Sequence, residues 1–162
     1  MKKILSIILI LAGLVLLLTP FLTEQIIKHY NKSIPINEIT AENMKSNNET
    51  EVDFDFSSVR DVEIISIIKG AMNFNKELVV GVLLIPDLNV NLPIFKGLSD
   101  ANLISGAAAM KVDQVMGKGN YTLAGHNMKN KDLLFGSLMD IDIGSTVIIS
   151  DGYTIYEYPI EN

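Results

Sequence analysis

The residue with the clearest chemical potential is His126, in the run Tyr121-Thr122-Leu123-Ala124-Gly125-His126-Asn127-Met128. Residues alternating in size and polarity predict a short strand, Gly125 ends it, and the histidine follows where strand gives way to loop. A side chain there is held by a sheet on one side and open to solvent on the other, so an imidazole can exchange protons with a bound substrate. The other ingredients of familiar sites are missing. The 162 residues contain no cysteine, which removes disulfides, thiolate metal sites and a thiol nucleophile from this chain. No Gly-x-Ser-x-Gly elbow accompanies the histidine, so an anchored serine hydrolase ranks far below other readings. His29 is far away in sequence, has no second ligand at useful spacing, and reads as exposed or interfacial. Gly117-Lys118-Gly119 lacks the lysine-hydroxyl ending of a nucleotide loop. Asp53 and Asp55, alternating with Phe54 and Phe56, lack the glycine and glutamate that close a calcium loop. On this inventory no cofactor is expected.

The elements that must position His126 come next. Lys2 and Lys3 precede an uncharged apolar run that reaches from Ile4 to Leu22. As a helix, about 19 residues span roughly 28 Å, close to a bilayer's hydrocarbon thickness. No small-x-small cleavage site follows, so residues 1–23 read as a cytoplasmic tip and an uncleaved transmembrane signal-anchor, with membrane contact through residues 4–22. Lysines ahead of the span predict a cytoplasmic N-terminus and an extracytoplasmic remainder. Residues 24–51 turn polar and read as a stalk, helical near the membrane and loose around Lys45 to Glu49. Within 52–77, Val59, Val62 and Ile65 with Ile64, Ile67 and Ile68 predict a short amphipathic helix.

Residues 78–162 read as the folded domain. Leu78 to Ile85 is a branched, apolar run closed by Pro86-Asp87, the pattern of a buried strand and turn. Val90 to Phe95 predicts a second strand, with Pro93 at a sheet edge or bulge. Asp100 to Met110, including Ala107-Ala108-Ala109, predicts a short helix, and Lys131 to Met139 a helical turn. Thr146 to Ile149 and Tyr153 to Tyr158 predict two strands joined tightly through Asp151-Gly152. The fold class is mainly β: a small closed barrel with short helices, behind a transmembrane helix. The net charge of −6, with Arg60 the single arginine, gives no basic surface, so nucleic acid is not an expected partner.

Three runs carry a resemblance: Val80-Gly81-Val82-Leu83-Leu84-Ile85-Pro86, then Leu92-Pro93-Ile94-Phe95-Lys96-Gly97, then Gly119 through Met128. Together they closely resemble class A sortases of Gram-positive bacteria, over residues 78–158 and in the anchor-and-stalk layout. The resemblance implies a β-barrel cysteine transpeptidase that cuts surface proteins at a Leu-Pro-x-Thr-Gly signal and joins them to an amine of the peptidoglycan precursor. It places His126 on the family's catalytic histidine and Leu103 on a groove-lining leucine; a core position on a short helix is an equal reading of Leu103. The family's cysteine and arginine lie in later strands, so the chain looks C-terminally truncated, inactive by itself and poorly stable. Residues at the positions where some members bind calcium are Lys111, Gln114 and Lys118, so no metal is expected. The rival reading is a non-catalytic, membrane-anchored β domain that binds wall peptides or a partner, with a purely structural His126.

Overall fold

Two antiparallel strands, β1 (Val79–Ile85) and β2 (Val90–Lys96), form the centre of the domain in the computed structural model, which describes residues 2–52 and 74–161. The turn between them follows from Pro86, which starts a 3-10 turn, and Asn89, whose left-handed backbone (φ 52°) reverses the chain. β1 carries a bulge between Val79 and Gly81. The sheet grows outward on both sides, in the order β4-β3-β2-β1-β5-β6. β3 (Ala107–Ala109) runs parallel to β2, and β4 (Leu123–Ala124) pairs antiparallel with β3. On the other side β5 (Thr146–Ser150) pairs with β1, and β6 (Ile155–Pro159) with β5. The result is an open, curved half of a barrel with short helices, mainly β as the sequence predicts.

Several local expectations change. Ala107–Ala109 extends as a strand, although alanine favours helices. The preceding helix α3 (Asp100–Ser105) stops at Gly106, and the three alanines then hydrogen-bond alongside Ile94, Phe95 and Lys96. All three are buried, and their small side chains let Leu98 and Leu103 pack close to the sheet. β2 is an interior strand with a neighbour on each side, so Pro93 marks no edge; it pairs with Val82 just ahead of the point where the β3 ladder begins. Of the helical turn expected over 131–139, residues 131–137 form non-helical turns with Leu134 in a positive-φ conformation, and a 3-10 helix covers Leu138–Asp140. The β5–β6 loop spans four residues, since Ser150 pairs with Ile155, and only Gly152 takes positive φ. Asp151 Oδ1 accepts from the Tyr153 and Thr154 N–H groups inside it.

In the polar region after the membrane run, the helical start agrees with the sequence and the stretch expected to be loose does not. Helix α1 (Lys2–Ser33) runs from the apolar N-terminus through the start of the stalk without a break at Pro20. The stretch read as loose is helix α2 (Ala41–Asn48), opened by a capping box in which Thr40 and Asn43 bond reciprocally. α2 docks on β1: Met44 is buried, and the Asn47 Nδ2 donates to Lys76 O at 2.9 Å and Val79 O at 2.8 Å. The helix expected within 52–77 lies, for the most part, outside the described residues.

The core gathers Val80, Leu83 and Ile85 from β1, Val90, Leu92 and Ile94 from β2, Ile104 from α3 and Leu133, Leu134 and Phe135 from the turns. Ile27 of α1 joins them. α1 itself is long and apolar enough to cross a membrane, and its apolar side chains from Ile4 to Leu22 lie exposed.

Candidate active site

β4 delivers His126 as the sequence predicts, two residues past Ala124 and at the mouth of the sheet. The imidazole-bearing residue is half-buried. Its backbone is fixed by the turns that follow, because the Phe135 N–H donates to His126 O at 3.0 Å and Asn127 bridges to Leu134. Gly125 makes this closure possible. A methyl group there would lie 2.5 Å from Phe135 Cδ2 and 2.6 Å from Cε2, so the phenyl ring can cover the backbone before His126 only if residue 125 has no side chain.

The chain entering β4 is pinned by a side chain that imitates a strand. Gln114 Nε2 donates to Thr122 O at 3.0 Å, and Gln114 Oε1 accepts from the Thr122 N–H at 3.0 Å. The Met110 N–H also donates to Thr122 O. The loop is held from the far side by β6, where Tyr158 Oη accepts from the Gly117 N–H at 3.1 Å. Tyr121 packs into this region, and burial pushes its phenol up to about 12, a hydrogen bond with Gln114 opposing and the neighbouring Tyr158 adding to the rise. A cleft of about 700 Å³ opens along this loop between Met110 and Asn120.

Leu103 sits on α3 and is only 3% exposed, packed with Leu98 and Ala108 and with Ala124 of β4 against the cluster. It therefore backs the strand that carries His126 without reaching solvent. Lys111, Gln114 and Lys118 lie on the loop before β4, where the Gln114 carboxamide is committed to Thr122. His29 is exposed on α1, as its position just past the apolar run implies.

The sequence reading missed the supports of His126 rather than the histidine. Phe135 gave no signal because its partner is a glycine, and Gln114 gave none because its two bonds go to backbone. The acidic and amide residues Glu24, Asn130 and Asp132 are equally silent in sequence, since their pairing joins α1 to the turns after β4.

His126 is thus a half-buried residue just past the end of a strand, its backbone held by the Phe135 N–H. Comparison with known proteins gives this geometry its family. A model described as the Sortase domain matches residues 83–162. Sortase A of Listeria monocytogenes is 42% identical over 160 residues, covering 99% of this chain and 72% of that protein. Sortase A of Streptococcus agalactiae is 32% identical over 164 residues, covering 98% of this chain and 66% of that protein. Among solved structures, sortase C-1 of Streptococcus pneumoniae matches with a TM-score of 0.50 at 17% identity, over 86% of this chain and 76% of that one, a likeness of fold. With a relative this similar along nearly its whole length, the chain belongs to the sortase family.

Proposed function

We propose that this chain carries the membrane-anchored, histidine-bearing part of a sortase-type cysteine transpeptidase. Its substrates are surface proteins bearing a Leu-Pro-x-Thr-Gly-type signal and an amine of the peptidoglycan precursor. The observation that carries the reading is His126, seated by β4 and Phe135 in a chain 42% identical to a sortase A. In this chemistry a thiolate attacks the threonine carbonyl, the imidazolium protonates the departing glycine amine, and the resulting imidazole accepts a proton from the attacking amine. In this reading His126 carries both transfers. Leu103, packed behind β4 against Ala124, supports the strand that carries His126. The anchor places the N-terminus in the cytoplasm and the domain outside, following the lysines ahead of the apolar run.

The thiol is not among the 162 residues, and neither is an arginine within the domain, since Arg60 precedes it. The covalent step needs a nucleophile that this chain does not supply. The 162-residue chain, incubated with a Leu-Pro-x-Thr-Gly reporter peptide and an amine acceptor, is expected to release no product. Turnover that disappears in His126→Ala would overturn that expectation and require a different nucleophile.

A further inference from the structure

One face of α1 below the apolar run is not a free stalk. Ile27 lies three residues and Lys28 four residues after Glu24, and Tyr30 lies three after Ile27, so the four fall within one broad side of the helix. Gln25, Ile26 and His29, on the other side, are exposed. Each residue of the shared side has a partner in the domain. Ile27 is 0% exposed and belongs to the same core cluster as Leu133, Leu134 and Phe135. Glu24 Oε2 accepts from Asn130 Nδ2 at 3.2 Å, and Lys28 Nζ donates to Asp132 Oδ2 at 3.1 Å. Tyr30 Oη meets Ser105 Oγ at 2.9 Å, and because Ser105 donates its own proton to Ala101 O at 2.6 Å, the phenol is the donor.

Two of these contacts, at Asn130 and Asp132, fall on the turns that close on His126, and Ile27 is buried in the core cluster that also holds Leu133, Leu134 and Phe135. From the Asn130–Asp132 turn the chain runs into the Leu133–Phe135 segment, where the Leu133 N–H donates to Asn130 O, and that segment reaches the histidine through the Phe135 N–H on His126 O and the Phe135 ring over Gly125. We propose that the membrane-proximal face of α1, Glu24, Ile27, Lys28 and Tyr30, is a positioning element for His126: the helix that anchors the chain also braces the loop that fixes the histidine. Two consequences follow from the continuity of α1. Tyr30 lies about 12 Å along the helix from Leu22, so the domain is seated next to the bilayer surface rather than held away from it. A displacement of the anchor relative to the domain loosens the loop at residues 126–135 before it loosens the sheet, since β1 and β2 are tied to each other and to α2 independently.

The importance of the brace to catalysis rests on the proposed role of His126, but the brace itself is tested without turnover. The full chain in detergent micelles or nanodiscs is examined by amide exchange and by the imidazole nitrogen resonances of His126. In Ile27→Ala, exchange at the Phe135 amide should accelerate on the order of tenfold or more, the His126 imidazole signals should shift, and the β1–β2 ladder amides should keep their protection. Lys28→Glu should produce the same pattern more weakly, about two- to fivefold, and Lys28→Glu combined with Asp132→Lys should restore it. Unchanged exchange at Phe135 in Ile27→Ala overturns the proposal. So does a uniform loss of protection across the sheet, which would make Ile27 a general core residue, and so does failure of the charge exchange to rescue Lys28→Glu.

Discussion

Gly125→Ala tests how His126 is held. The added methyl would stand 2.5, 2.6 and 2.9 Å from three carbons of the Phe135 ring, against the roughly 3.5–4.0 Å at which carbon pairs are comfortable. The backbone of Gly125 is not in a positive-φ conformation, so the cost is overpacking and not torsional strain. Phe135 is 8% exposed and packed within the core, so the ring has little room to withdraw. Overpacking of this kind costs about 1–3 kcal/mol. Relief by moving the ring would stretch the Phe135 N–H bond to His126 O and displace the histidine backbone. The assay is urea unfolding of the full chain in mild detergent for the parent, Gly125→Ala, Phe135→Leu and the double variant, with His126 imidazole resonances recorded on each. The shortened side chain leaves space for the methyl, so the double variant should be more stable than the sum of the single effects by about 1–2 kcal/mol. A Gly125→Ala chain within about 0.5 kcal/mol of the parent, or strict additivity in the cycle, would show that the ring does not depend on the glycine.

Asn47→Leu removes the two hydrogen bonds that α2 donates to Lys76 O and Val79 O, the second of them buried; a loss of about 1–3 kcal/mol is expected in the same unfolding assay, and an unaffected midpoint would mean that α2 is not seated on β1. For Tyr121, the folded chain keeps its phenolic proton up to about 12 while an unfolded tyrosine loses it near 10. Stability from this group is therefore complete below the unfolded value and is lost as pH rises through that window, by about 2–3 kcal/mol in all. Tyr121→Phe should flatten this part of the stability profile, and equal slopes in both chains would refute the assignment to Tyr121.

Much of the domain is legible one segment at a time. The branched residues of β1, the Pro86 turn and the alternation in β2 all describe local backbone preferences, and these elements lie where the pattern puts them. The alanine run misleads because propensity is weaker than a parallel ladder with β2 and a buried site that only small residues fill. Lys45 to Glu49 read as loose because their composition is hydrophilic; the helix over Ala41–Asn48 is stabilised by one buried methionine, one buried asparagine and its capping box, none of which stands out without the surface it packs on. The turns at 131–139 carry leucines at helical spacing, yet their burial follows from closing on His126 and not from helix periodicity.

The sequence by itself determined that the chain has an apolar segment able to cross a membrane, that no cysteine is present, and that a single histidine stands at a strand end within a sortase-like motif. These are properties of residue type and near-neighbour spacing, and they need no partner to be read. The tertiary structure alone decided that Phe135 lies over Gly125, that Gln114 closes on Thr122, and that the anchor helix bonds to Asn130 and Asp132 through Glu24 and Lys28. Each of those contacts joins positions whose proximity depends on how the sheet and helices pack, and packing is set by the burial of many side chains at once and not by any local pattern.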